Sequence, residues 1–177
     1  MSLAFPAVHD TRLEADAREP VTLLAPALYQ HAASAAYEDA ELLLTSILPD
    51  ARVEHVGATA VAGARSRGGV DVCVAVPRGA FDEALGVLVE AGCLQRSQED
   101  AADRHAALAM PCAGASVTLQ LIETGSGHES LLRVRDALRA DAALLARLDA
   151  AKTGAAALGD AAYAAAKAAF FDAMTRR

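Results

Sequence analysis

The chain reads as an α+β domain, a small mixed β-sheet with flanking helices and a C-terminal helical tail. Three observations predict this. A long helical stretch precedes two strand-like runs that have a short helical segment between them. A further helix is then followed by two short extended runs that suggest a hairpin. Beyond Gly127 every segment carries helical periodicity.

From Pro26 to Leu48, the residues Leu28, Ala32, Ala36, Ala40, Leu43, Leu44 and Ile47 recur at helical spacing, and Pro49 ends the run. Strand one is expected at 52–56 and strand two at 69–76, where Pro77 stops it. In the second strand Val70, Val72, Val74 and Val76 alternate with Asp71, Cys73 and Ala75, so the valines take one face and Asp71 with Cys73 the other. A helix over 79–91 carries Phe81, Leu85, Leu88 and Val89 on one stripe and closes at Gly92. After the polar stretch 95–104, extended runs at 105–110 and 115–122 flank Pro111 and Gly114. Ser126 with Glu129 matches a capping box for the next helix. Asp141 caps another, Gly154 and Gly159 mark a break, and the last helix spans 160–174.

Residues 1–20 have weak periodicity and form an expected poorly ordered lead-in; 21–177 make one domain. The 177 residues suffice for a core, and 54% hydrophobic content with 4% aromatics and no Trp makes it one of Ala, Leu and Val. A net charge of −7 argues against broad nucleic-acid or anionic-membrane binding. The three cysteines lack CxxC spacing, which points to reduced thiols rather than zinc or disulfides. With no secretory leader pattern and no membrane-length apolar run, a cytoplasmic protein is expected.

The candidate chemistry gathers around 52–76. A carboxylate on a valine-rich strand, Asp71, following a turn glycine, Gly57, suits phosphate or metal handling; a solvated sheet face explains it equally. If 115–122 neighbours 69–76, Thr118 and Gln120 share the Asp71 side. Gly57 and Thr59 sit where a turn offers N–H groups to an anion. Arg67 lies near the same cleft or simply in a soluble loop. In the last helix Tyr163, Lys167, Phe170 and Met174 share a stripe, so Lys167 either snorkels or reaches a cleft partner. Arg135 either enters the cleft or forms a surface ion pair. His55 reads as a structural strand histidine, and Cys73 as a small apolar filler.

These blocks, in this order, resemble the GrpB-like family, whose fold is that of nucleotidyltransferases related to DNA polymerase β. The resemblance runs without a gap from His55 to Val72, HVGATAVAGARSRGGVDV, then through Val134–Arg139, and ends on Tyr163, Lys167 and Phe170; it spans about 20–175. It implies a nucleotidyltransferase-like sheet with a cleft above strand two. The implied site has Asp71 as catalytic carboxylate and Mg²⁺ ligand. Gly57, Thr59, Arg67, Arg135 and Lys167 would bind phosphate, and His55, Cys73, Thr118, Gln120 and Tyr163 would line the cleft.

The departures from that pattern bear on chemistry. Ala58 replaces the serine of the turn, and Cys73, a poor Mg²⁺ ligand, replaces the second carboxylate. Thr118 and Gln120 replace a frequent histidine pair, and Arg67-Gly68 replaces Lys-Pro. Three functions follow as expectations: Mg²⁺-dependent nucleotidyl or phosphoryl transfer at a degenerate site, a non-catalytic module binding a small-molecule nucleotide or other anion, or a partner-binding protein built on the helical tail.

Overall fold

The computed structural model describes residues 19–96, 104–112 and 114–175. The lead-in expected at 1–20 and most of the polar stretch lie outside these residues. In chain order the elements are α1 Pro26–Ile47, β1 Arg52–Val56, a 3₁₀ turn Ala58–Ala60, β2 Val70–Val76 and α2 Phe81–Glu90. Then come β3 Leu94–Gln95, β4 His105–Met110, β5 Val117–Glu123, α3 Ser130–Ala140, α4 Ala142–Ala156 and α5 Asp160–Thr175.

Among the described residues the strands make one mixed sheet in the order β1-β2-β5-β4-β3, with β2 and β5 parallel and the other neighbours antiparallel. The β2–β5 register sets Asp71 against Thr118 and Cys73 against Gln120. β3 is a short addition at the edge, beside β4. Two residues are too few to show a period, so nothing in the sequence announces it.

The strict alternation of β2 divides the molecule into layers. Val70, Val72, Val74 and Val76 face a core filled by Tyr29, Ala33, Ala40 and Leu44 of α1 and by Phe81, Ala84 and Leu88 of α2. The opposite face carries Val56, Cys73, Ala75 and Ile122 against Leu132 of α3. A third cluster, Val61, Ala64, Leu138 and Leu148, ties the turn after β1 to α3 and α4, with Phe170 and Phe171 of α5 against it. The helical tail therefore folds back over the chain's own sheet. No helix of the described residues is long and apolar enough to cross a membrane.

Two local expectations are corrected. The capping box does not form: α3 starts at Ser130 with Glu129 at its N-cap position, and the Glu129 carboxylate accepts from the Gly125 N–H at 2.7 Å. Positive φ values at Gly125 and Gly127 make a turn that carries Glu129 away from Ser126. Gly154 does not break α4, which continues to Ala156; the break falls at 157–159 and ends on Gly159 with φ 96°. Asp141 does cap α4, accepting from the N–H groups of Ala143 and Leu144 at 2.8 and 3.0 Å.

Candidate functional site

The end of β1 and the start of β2 set the floor of a cavity. Val56 pairs with Asp71, and the chain then turns through Gly57 at φ 73°. Any Cβ at Gly57 would stand 2.4 Å from Asp71 Oδ2, so the glycine makes room for the carboxylate itself. Helices α3, α4 and α5 form the roof. The cavity volume is about 230 Å³, bounded by Asp71, Lys152, Tyr163 and Lys167 among largely apolar walls that include Val56, Val61, Leu131 and Phe171.

The charged groups here differ in how far they are committed. Lys152 is 1% exposed and holds the Arg65 carbonyl and, at 2.7 Å, the Asp149 carboxylate. Arg135, also buried, pairs with Glu54 at 2.6 Å and Asp136 at 2.8 Å and donates to the His55 carbonyl at 3.0 Å. Burial opposes the Arg135 charge, but its two carboxylate partners outweigh that and raise its pKa. Asp71 and Lys167 are the other kind. Among the described residues neither side chain is held in a hydrogen bond or ion pair, though each feels the other's charge. Burial raises the Asp71 pKa, with Lys167 partly countering it; burial lowers that of Lys167, with Asp71 partly countering. Both shifts favour the neutral forms, as expected of two facing groups short of water.

The structure thus brings Asp71, Gly57, Gln120, Arg135, Tyr163 and Lys167 to one cavity. The remaining candidates stand elsewhere. His55 pairs with Val72, which puts it on the valine face, where its ring stacks on Tyr37 at 4.7 Å. Thr59 is buried with it: its hydroxyl donates to the Gly69 carbonyl at 3.3 Å and lies 3.0 Å from His55 Nε2. Cys73 is fully buried beneath α3, its thiol pushed up to about 11 by burial first and then by Glu54. Thr118 shares the Asp71 face but lies outside the lining. Arg67 is at the surface beside the cavity, paired with Asp160 at 2.6 Å and 5.9 Å from the Tyr163 ring centre.

Lys152 went unrecognised because a lysine in an Ala-rich tail reads as a solvating charge. The signal was present: it follows Leu148 by four residues on the buried stripe that ends at Ala156.

The donor set does not fit a pair of Mg²⁺ ions. Hard cations need several anionic oxygens, and the cavity offers one carboxylate. No group of three His, Cys, Asp or Glu among the described residues could hold a metal. The position expected to supply a second ligand is a buried neutral thiol, and two ammonium groups face the same space.

His55 supplies a pH test of the β1 environment. Burial, then Arg139 and Arg135, hold its pKa down to about 4 from 6.5. The unfolded chain therefore takes up this proton first as pH falls. The contribution is complete above about 6.5 and lost progressively toward about 4, amounting to about 1–2 kcal/mol after allowance for partial exposure. Asp71, with its raised pKa, works in the opposite sense. The expected readout is the stability difference between wild type and His55→Gln from pH 7 to pH 4, which shrinks as the pH falls.

Residues 24–177 match the family described as GrpB protein. A UPF0157 protein of Vibrio cholerae serotype O1 is 29% identical over 119 residues, spanning 67% of this chain and 63%, under two thirds, of that relative. Among solved structures, the conserved protein GrpB from Enterococcus faecalis is 16% identical and superposes with a TM-score of 0.64 over 86% of this chain and 99% of that one. The Cid1 poly(U) polymerase with bound MgGTP is 17% identical and overlaps 68% of this chain and 39% of that one at a TM-score of 0.43. That last overlap carries no functional argument.

Proposed function

The chain belongs to the GrpB protein family, and from that premise we propose that it is a non-catalytic module on a nucleotidyltransferase-like fold, binding a small anion without a metal ion. A nucleotide is the ligand that the family resemblance implies. One observation carries the reading: Asp71 and Lys167 face a common cavity, and among the described residues neither is held in a hydrogen bond or ion pair, the Lys167 ammonium lying over the Tyr163 ring at 5.6 Å. A charge short of water is costly unless it is paired, so two half-buried groups of opposite sign on one cavity favour a ligand that completes them. Lys167 offers the anion its counter-charge from α5. Arg135 and Lys152, each paired with carboxylates, hold the walls that present it.

Mg²⁺-dependent nucleotidyl or phosphoryl transfer is the weaker reading, because two-metal catalysis needs carboxylates shared between ions and this cavity supplies a single acid. The expectation is tested by titrating a panel of ATP, GMP, inorganic phosphate and small carboxylates in a calorimeter, once in EDTA and once in Mg²⁺. Binding of at least one anion, equally tight in both media and weakened about ten-fold or more in Lys167→Met, supports the proposal. Binding that appears only with Mg²⁺ overturns it.

A further inference from the structure

Charge balance in the cavity narrows the ligand further. Lys152 is tied to Asp149 and the Arg65 carbonyl, and Arg135 to Glu54, Asp136 and the His55 carbonyl. What remains is one carboxylate, Asp71, and one ammonium, Lys167, which sum to zero. A polyphosphate would bring several negative charges to a wall that already carries Asp71, with Lys167 alone to offset them. Arg67, the next cation, points to the surface and is held by Asp160.

Size and wall chemistry agree. At about 230 Å³ the cavity falls below the ~300–1,000 Å³ of pockets that take drug-sized ligands. Val56, Val61, Ala64, Leu131, Val134 and Leu145 are among the residues of its largely apolar wall, a surface for an aliphatic body rather than for a phosphate chain. Gly57, which a Cβ would fill, leaves the Asp71 carboxylate open to the cavity.

We infer that the carboxylate-bearing ligand bound here is a zwitterion: a small α-amino-acid-like molecule with an apolar side chain, its ammonium on Asp71 and its carboxylate on Lys167. This rests on the metal-independent reading above and names the chemical class it takes. Each half-buried charge then gains an opposite charge, and the side chain gains the apolar wall. A ligand with only one of the two ionic groups leaves a half-buried protein charge unpaired, which costs more than a missed surface contact.

Four ligands on the full chain in EDTA test this by calorimetry: L-leucine, its decarboxylated amine 3-methylbutan-1-amine, its deaminated acid 4-methylpentanoate, and ATP. L-Leucine is expected to bind, and both half-ligands to bind about ten-fold or more weakly. This comparison uses wild-type protein and does not depend on a variant folding. In Asp71→Asn the preference for L-leucine over 4-methylpentanoate is expected to collapse. If 4-methylpentanoate or ATP binds in EDTA as well as L-leucine or better, the zwitterion falls while the metal-free anion site stands. If ATP binds only after Mg²⁺ is added, both fall. No heat with any of the four removes the zwitterion, and silence of GMP, phosphate and the small carboxylates as well removes the metal-free anion site with it.

Discussion

Lys152→Ala is expected to destabilise the protein by about 3–5 kcal/mol, the range for removing one partner of a buried ion pair. The lysine is 1% exposed, and its ammonium joins the Arg65 carbonyl to Asp149, 2.7 Å away. The other Asp149 oxygen accepts from the Arg65 N–H at 3.0 Å, so this trio pins the loop after the 3₁₀ turn to α4. Truncation leaves a carboxylate and a carbonyl short of partners and opens a hole beside the ligand cavity. Chemical denaturation checks the magnitude. Lys152→Met, which keeps most of the volume but not the charge, separates the cavity cost from the electrostatic one. A loss below 1 kcal/mol in both would mean that the buried pair does not brace the wall.

Gly57→Ala is the second large effect, expected at about 2–4 kcal/mol because two penalties meet at one atom. The backbone is left-handed, φ 73°, and the new Cβ would stand 2.4 Å from Asp71 Oδ2. Either β2 shifts or the carboxylate swings out of the cavity. The double variant Gly57→Ala/Asp71→Ala removes the clash but keeps the backbone strain, so the two substitutions should be strongly non-additive. Strict additivity in denaturation would show that the close approach is not what the glycine serves.

The strand periods were legible in the sequence, but the stripe expected on α1 was only in part the buried one: Leu28 and Leu43 are exposed, and Tyr29, Ala33, Ala40 and Leu44 face the core. The valine period placed Asp71 on the face away from α1 and α2, and the same period in 115–122 put Thr118 and Gln120 beside it. β1 was bounded correctly because Pro49 before it and Gly57 after it are chain punctuation. Lys167 was picked out by lying on an apolar stripe, and Lys152 carried the same signal without being read. What a linear pattern cannot carry is antiparallel register. His55 lies two residues before Gly57 in sequence, yet its partner across the sheet is Val72, so it belongs to the valine face and takes Thr59 with it. The commitment of Arg135 was also hidden, since Glu54 lies 81 residues away and meets it only once α3 covers the sheet. Motif matching offered Cys73 as a ligand position; the packing of α3 on that face seals it.

In the function proposed above, the opposed charges of Asp71 and Lys167 serve a ligand in place of a metal. The measurement that probes this most directly is the calorimetric titration of the tightest-binding anion in EDTA and in Mg²⁺, on wild type and on Asp71→Asn. The account predicts one affinity in both media for the wild type, and an Asp71→Asn effect that is the same with or without the metal. Affinity that arises only with Mg²⁺ and vanishes in Asp71→Asn would contradict it.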